Sequence, residues 1–311
     1  MKVGIDAHKK KCVAALFADN SSEPDIFEFN TTKEGIEEFE KMVPDGSQVV
    51  IESSTTGKAL SMNLSGKYDV HMVSPPERKP QIKTDKRDAV RIIKEDELGY
   101  LKRCYVPSQY IEKLRVLVAR QMGLGRKISE VKNQVHSLIE SNMMQGRFEG
   151  ITDIFGMEGL RVLSSLELPE EESEALIMYL QELDLYAEQH RQLEGEMAEI
   201  ATSDDDCRLL MTMPGVGAFA AVAIKARIGD IKRFPDKKKL CSYAGLVPKS
   251  DNSGDYVSNH RHVKHGDDVL KAALTIAARG AAQARTNSSI KKMYLRQGRQ
   301  EGERRLRTLR S

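Results

Sequence analysis

The sequence has no tryptophan, and aromatic residues make up only 5% of its 311 residues. Proteins that hold single-stranded nucleic acid without sequence preference usually stack the bases on aromatic side chains. An aromatic stacking surface is therefore not indicated.

Signals for zinc and for disulfides are also absent. The cysteines form no C-x-x-C pair, and none has a histidine at the spacing of zinc ligands. This pattern argues against a structural zinc site and against a disulfide framework, so we expect a reduced, cytoplasmic protein. The four cysteines are Cys12, Cys104, Cys207 and Cys241.

Long apolar runs are missing too. None approaches the roughly 20 residues that cross a bilayer, and the first residues, MKVGIDAHKK, lack the apolar core of a signal peptide. We therefore expect no association with a membrane.

Neither positive nor negative charge is in large excess, because the formal net charge is only +2. Basic residues are nevertheless concentrated in residues 78–94 and 285–310, and only Glu301 and Glu303 oppose them in the second stretch. Separate basic patches are typical of proteins that bind a polyanion. Solubility is the alternative explanation for either patch.

Two aspartates three residues apart, Asp85 and Asp88, lie in the stretch QIKTDKRDAVRII at residues 81–93. At the start of a helix they share one face, where two carboxylates are favourable together only with a cation between them. Mg²⁺ prefers carboxylate oxygens together with water and phosphate. The pair indicates a divalent-cation site, and the alternative is a solvated acidic first turn.

The residues around this stretch predict three strands, a helix, a strand, a helix, a strand and the helix that carries the aspartates. Three antiparallel strands followed by two from crossover units are typical of an RNase H-like α/β fold, to which we assign residues 1–105. The predicted strands cover residues 2–5, 12–18, 26–29, 48–51 and 69–73, and the first two helices cover 35–42 and 58–64.

Two further acids stand at strand ends. Asp6 follows the first strand and Glu52 follows the fourth, and in this topology those ends lie side by side beneath the last helix. We expect both to converge with Asp85 and Asp88, because four carboxylates can hold two cations that clamp a phosphate. The alternatives are a turn role for Asp6 and a helix cap for Glu52.

The middle of the chain, residues 106–202, predicts two long amphipathic helices, one from 107 to about 142 and one from 176 to 200. Residues 146–172 between them indicate a loosely helical connection. We expect an antiparallel helical arm or a coiled-coil pair across subunits.

Residues 203–290 form a mostly α-helical C-terminal domain in this interpretation, followed by a basic tail at 291–311. Pro214-Gly215-Val216-Gly217 resembles the hairpin of a helix-hairpin-helix, whose exposed amides can bind a phosphate; a packed helical corner is equally compatible with it. Further on, A-G-L-V-P at 244–248 precedes a polar loop with Ser253-Gly254, and H-V-K-H-G at 262–266 precedes an alanine-rich helix at 268–278.

The segments GIDAHKK, VVIESSTTG and KTDKRDA resemble the D, E and paired-D motifs of DEDD transposases of the insertion-sequence one-ten family. Their N-terminal domain is RuvC-like, a form of the RNase H-like fold. The run from A-G-L-V-P to the final helix is similar to the family's C-terminal domain. The resemblance covers residues 1 to about 296.

The resemblance implies a transposase that cleaves and rejoins DNA at element ends. It implies Mg²⁺ or Mn²⁺ at Asp6, Glu52, Asp85 and Asp88, and a serine nucleophile, assigned to Ser253 with Ser250 as the second choice. A base for the serine is left open among His260, His262, Lys264 and His265. The residues predicted to contact nucleic acid are Lys83, Lys86, Arg87, Gly215, Gly217 and Lys264.

The resemblance further implies a structured non-coding guide RNA, assembly as a dimer or tetramer, and a nucleoid-associated place in a prokaryotic cytoplasm. Two departures stand out: Ser258-Asn259-His260-Arg261 replaces a glycine-containing segment, and the last residues, GRQEGERRLRTLRS, are polar and basic. Two alternatives remain, a RuvC-type nuclease that uses water and a non-catalytic nucleic-acid-binding protein.

Overall fold

The computed structural model describes residues 1–18, 21, 23–74, 85–247, 249–253, 256–261, 266–285 and 289–296, with only the backbone described for 249–253 and 256–261. The chain divides into two compact units, Met1–Tyr110 and Ile111–Ser311. Within these described ranges, no helix is both long and apolar enough to cross a membrane.

The first unit is built on a six-stranded sheet with the spatial order β3-β2-β1-β4-β5-β6. The first three strands pair antiparallel, β4 and β5 extend β1 in parallel, and β6 returns antiparallel. This mixed sheet is consistent with the predicted RNase H-like domain. The strands are β1 (Lys2–Ala7), β2 (Lys11–Phe17), β3 (Asp25–Asn30), β4 (Gln48–Glu52), β5 (Asp69–Ser74) and β6 (Lys102–Cys104).

Three helices cover the two faces of this sheet: α1 (Lys33–Met42), α2 (Thr55–Leu64) and α3 (Asp85–Glu97). Successive strand residues point to opposite faces, so Val3 and Ile5 of β1 join the core formed with α1 and α2. Two smaller apolar clusters, with Val13, Ala15 and Val50 on the strands, form beneath α3. Gly4 and Asp6 therefore point toward α3.

The second unit contains two long helices, α4 (Gln109–Ser141) and α6 (Glu170–Ser203). They run antiparallel, because Lys113 pairs with Glu196 at 4.0 Å near the start of α4, whereas Leu138 and Ile139 near its end share a core with Leu176. Within this chain the two helices thus pack as an antiparallel pair, and a coiled-coil pair across subunits remains a prediction. The connection between them includes α5 (Met157–Leu163) and a 3₁₀ turn at Gln145–Phe148.

The rest of this unit contains α7 (Asp205–Met211), α8 (Ala218–Ile228), α9 (Lys237–Tyr243) and α10 (Asp268–Gln283). Helix α8 is buried on most of its surface, including every residue from Ala220 to Ile224, and it packs in one core with α10 and the neighbouring ends of α4 and α6. The domain boundary near residue 203 and the basic tail from 291 remain predictions.

One expectation for this unit was wrong. The polar loop predicted around Ser253 is a two-stranded antiparallel hairpin, β7 (Lys249–Ser253) and β8 (Tyr256–Arg261). The sequence does not indicate this hairpin, because both strands are mainly polar and lack an alternating pattern.

Candidate metal centre

Asp6 is the deepest of the predicted acids. It lies one residue before the end of β1 and is only 7% exposed. Gly4, two residues earlier on the same face, allows α3 to approach: a Cβ atom on Gly4 would lie 2.2 Å from the Ala89 carbonyl oxygen. Helix α3 therefore lies directly on β1, with its first turn beside Asp6.

The first turn of α3 carries Asp85 and Asp88. His8 lies between the acids, with its Nε2 atom 3.2 Å from Asp6 Oδ2 and 3.5 Å from Asp85 Oδ1. One ligand atom from each of Asp6, His8 and Asp85 lies within 4.8 Å of the others. Asp85 is exposed, whereas the Asp88 side chain is largely buried and pairs with Arg91 at 3.3 Å.

Glu52 ends β4, which pairs in parallel with β1 so that Ile5 is opposite Ile51. The next residues along the two strands, Asp6 and Glu52, therefore lie level with each other. Val50, two residues before Glu52, belongs to the cluster beneath α3, so Glu52 points to the same face. Helix α2 is capped instead by Ser54, whose side chain accepts from Gly57 N–H, so the cap role considered for Glu52 is filled.

The electrostatics of the cluster centre on Asp6. Burial raises the pKa of its carboxyl group, because removing water disfavours the charged form. His8 opposes this effect, and the neighbouring carboxylates of Asp88, Asp85 and Glu52 raise the pKa further. The other three predicted acids thus all act on Asp6, and a bound cation would relieve this repulsion.

The donor set fits a divalent cation of the Mg²⁺ or Mn²⁺ type. Carboxylate oxygens are the protein ligands that these ions prefer, and the site combines buried and solvent-facing oxygens. Sequence reasoning missed His8, which lies just beyond the end of β1, two residues after Asp6.

The predicted nucleic-acid contacts divide into three groups. Lys86 and Arg87 are exposed in the first turn of α3, beside the acids. Lys83 and Lys264 lie outside the described residues. Gly215 and Gly217 lie in the turn before α8, and they differ in how closely other atoms surround them.

Gly215 has a φ of 88° and lies against α10, because a Cβ atom on it would be 2.2 Å from both the Ala277 carbonyl oxygen and the Ala281 nitrogen. This is the geometry of a packed corner. Gly217 caps α8 with an extended backbone, and a Cβ atom there would meet nothing within 4 Å. A phosphate-binding role for this turn remains a prediction, and Gly217 is the better placed of the two.

Both candidate serines lie on β7. Ser253 is its last residue and pairs with Tyr256 of β8, and Ser250 lies three residues earlier on the same strand. The described structure gives only the backbone here, and the same holds for His260. Of the other candidates for the base, His262, Lys264 and His265 lie outside the described residues.

Two family models match separate parts of the chain. Residues 3–144 match a model described as a transposase, the DEDD model of IS110. Residues 207–295 match the model of the transposase IS116/IS110/IS902 family.

Individual relatives are also named as transposases. The transposase for insertion sequence element IS1111A of Coxiella burnetii is 31% identical over 99 residues, which are 32% of this chain and 27% of that protein. A putative transposase of Sinorhizobium fredii, y4pF/y4sB, is 22% identical over 91% of this chain and 73% of its own length. A probable family 20 transposase of Pseudomonas aeruginosa is 25% identical over 71% of this chain and 67% of its own length. The chain thus spans about a quarter of the Coxiella relative and about two thirds or more of the other two.

Proposed function

Because the chain belongs to the IS116/IS110/IS902 family of transposases, we propose that it cleaves and rejoins DNA at the ends of an insertion sequence. The observation that carries this proposal is the meeting of Asp6, Asp85 and His8 beneath the start of α3. A match of the second unit to the same family supports it independently.

The acidic site would hold the reacting phosphate in this proposal. Asp6, Glu52, Asp85 and Asp88 would bind the divalent cations, with Mg²⁺ or Mn²⁺ as the physiological ion. When bound, such an ion stabilises the negative charge that develops on a transferring phosphoryl group. Lys86 and Arg87, exposed beside the acids, would bind the phosphates that flank the cleaved bond.

Ser253 would supply the nucleophile, with Ser250 as the second candidate. The hydroxyl oxygen would attack the phosphorus, so that a bond to the serine oxygen forms while the bond to the leaving sugar oxygen breaks. The serine proton would pass to a base and the sugar oxygen would take up a proton. The resulting phosphoserine conserves the phosphodiester bond energy for rejoining.

Two partners besides DNA complete the proposal. A structured non-coding RNA would guide the enzyme to its sites, and a dimer or tetramer would combine the acids of one subunit with the serine of another. The basic stretch at 78–94 and the basic tail are compatible with a polyanionic partner. We place the protein in the prokaryotic cytoplasm, with the nucleoid.

A trapping experiment tests the chemistry. The protein is incubated with element-end DNA, Mg²⁺ and RNA transcribed from the flanking sequence, and a covalent protein–DNA adduct is sought on a denaturing gel. We expect an adduct with the native protein and none with Ser253→Ala or Asp85→Asn, while Ser250→Ala retains it.

The same gel separates the competing functions. If the DNA is cleaved without forming an adduct, and cleavage persists in both Ser253→Ala and Ser250→Ala, a nuclease that uses water would replace our proposal. Tight DNA binding without metal-dependent cleavage would replace it with a non-catalytic binding protein.

A further inference from the structure

We propose that His8 is a third protein ligand of a divalent cation held by Asp6 and Asp85. This inference rests on the proposed function, because it adds a nitrogen donor to the proposed acidic site. It names a residue outside the four carboxylates that the family resemblance implies.

The distances within the cluster carry the argument. Two neighbouring ligands of an octahedral ion, each about 2.1 Å from the metal, lie about 3 Å apart. His8 Nε2 lies 3.2 Å from Asp6 Oδ2 and 3.5 Å from Asp85 Oδ1. Both contacts of the imidazole are therefore already near the spacing that one ion requires, and one ligand atom from each of the three residues lies within 4.8 Å of the others.

The turn between β1 and β2 holds His8 in place. The Thr31 hydroxyl donates to the His8 carbonyl oxygen at 2.8 Å, and the Thr31 N–H donates to the Lys10 carbonyl oxygen at 3.1 Å. The His8 side chain itself is 53% exposed and is not part of the core. Its imidazole is thus positioned from its backbone, at the solvent side of a buried carboxylate.

An imidazole changes which ion the site prefers. Mg²⁺ is a hard cation that takes oxygen ligands, whereas imidazole suits transition ions. We expect the site to bind Mn²⁺ more tightly than Mg²⁺, and His8 to account for much of that difference.

The test uses Mn²⁺ as the probe on the 311-residue protein. Pulsed EPR detects a histidine nitrogen bonded to Mn²⁺ through the modulation that ¹⁴N imposes on the electron spin echo. We expect this modulation in the native protein, its change when the histidines are labelled with ¹⁵N, and its loss in His8→Ala. Calorimetry on the same samples should give a weakening of Mn²⁺ binding by at least about tenfold in His8→Ala, with a smaller change for Mg²⁺.

His71 provides the matched control. It also pairs with a carboxylate in the first unit, with Nε2 2.9 Å from Asp69 Oδ2. His71→Ala should leave both the ¹⁴N modulation and the Mn²⁺ affinity unchanged. A modulation that disappears in His71→Ala instead would overturn the inference.

The failure of this inference is distinct from the failure of the proposed function. If Asp6→Asn abolishes Mn²⁺ binding but His8→Ala keeps the modulation and the affinity, the acidic site stands and His8 is only an ion-pair partner. If neither Asp6→Asn nor Asp85→Asn affects Mn²⁺ binding, the metal site itself is wrong. A circular-dichroism melt of each variant confirms that these comparisons are made on folded protein.

Discussion

Gly4 of β1 and Ala89 of α3 are so close that a Cβ atom on the glycine would lie 2.2 Å from the alanine's carbonyl oxygen. The same hypothetical atom would lie 2.8 Å from Cγ1 of Ile93. The contact brings a helix onto a strand without an intervening side chain. Because Asp88 precedes Ala89 and Asp6 follows Gly4 on the same face, this contact also determines how closely the acids approach one another.

Gly4→Ala is therefore expected to destabilise the first unit and to weaken metal binding together. Overpacking of this kind costs about 1–3 kcal/mol, and the backbone oxygen of Ala89 cannot move without moving α3. Denaturant unfolding measures the first effect, and titration with Mn²⁺ measures the second. Gly66→Ala is the control, since a Cβ atom there would meet nothing within 4 Å; equal losses in both variants would contradict the role of the contact.

Divalent cations should stabilise the native protein against heat and should not stabilise Asp6→Asn. A ligand present at about 100 times its dissociation constant adds about 2.7 kcal/mol to the free energy of unfolding. Melting curves with and without Mg²⁺ or Mn²⁺ measure this difference. Asp69→Asn, which alters an exposed acid on β5, serves as the control and should keep the full shift. A metal-induced shift that persists in Asp6→Asn would count against the proposed site.

The strands that the sequence predicts differ from those that it does not predict in how many apolar residues they carry. Strands β1, β2, β4 and β5 carry buried apolar residues. Their apolar runs are visible in the local sequence and predict strands. β6 and the β7–β8 hairpin are short or polar and owe their pairing to context. Local sequence does not encode that context.

The candidate site shows the same division. The sequence places Asp6 and Glu52 at strand ends, and the predicted topology brings those two ends side by side. His8 lies in the exposed turn after β1, and no strand or helix pattern in the sequence indicates where its side chain points. The packing of Gly215 against Gly280 joins positions more than 60 residues apart, and no local pattern indicates such a contact.

Asp267 and Arg227 form an ion pair whose contribution to stability should depend on pH. The Asp267 side chain is 4% exposed and accepts from Arg227 Nε at 2.7 Å, from Tyr243 Oη at 3.2 Å and from Leu270 N–H at 2.9 Å. Burial by itself raises the pKa of Asp267, but these hydrogen bonds and the Arg227 charge outweigh it and lower the pKa below 3.8. The stabilisation is therefore fully present above about pH 4 and is lost as the pH falls through the folded-state value.

Asp267→Asn removes the negative charge that pairs with Arg227 but keeps a side chain that can cap α10. Asparagine can still accept from Leu270 N–H at the start of α10, but it leaves Arg227 without a carboxylate. We expect a loss of about 3–5 kcal/mol near pH 7, which shrinks as the pH falls below about 4. Urea unfolding at several pH values measures the difference. Asp236→Asn, which alters the cap of α9, should show a much smaller loss; an Asp267→Asn loss independent of pH would contradict the ion-pair account.

The two glycines of the P-G-V-G turn should respond differently to alanine. Gly215 has a positive φ, and Gly215→Ala forces a side chain into the backbone of α10. We expect a loss of about 1–3 kcal/mol in the stability of the second unit. Gly217→Ala adds a methyl group in open space with extended backbone, so stability should change by less than about 1 kcal/mol.

Gly217 is therefore the position at which phosphate binding can be tested without unfolding the corner. The α8 amides at this end can contact a DNA phosphate only if the space in front of them stays open. Binding of a duplex is measured by fluorescence anisotropy over a range of salt concentrations. A weaker affinity in Gly217→Ala, with an unchanged melting temperature, would support phosphate binding at this turn. Unchanged affinity and stability would leave the turn as a packed corner whose one strict requirement is the glycine at 215, because that glycine alone faces the backbone of α10.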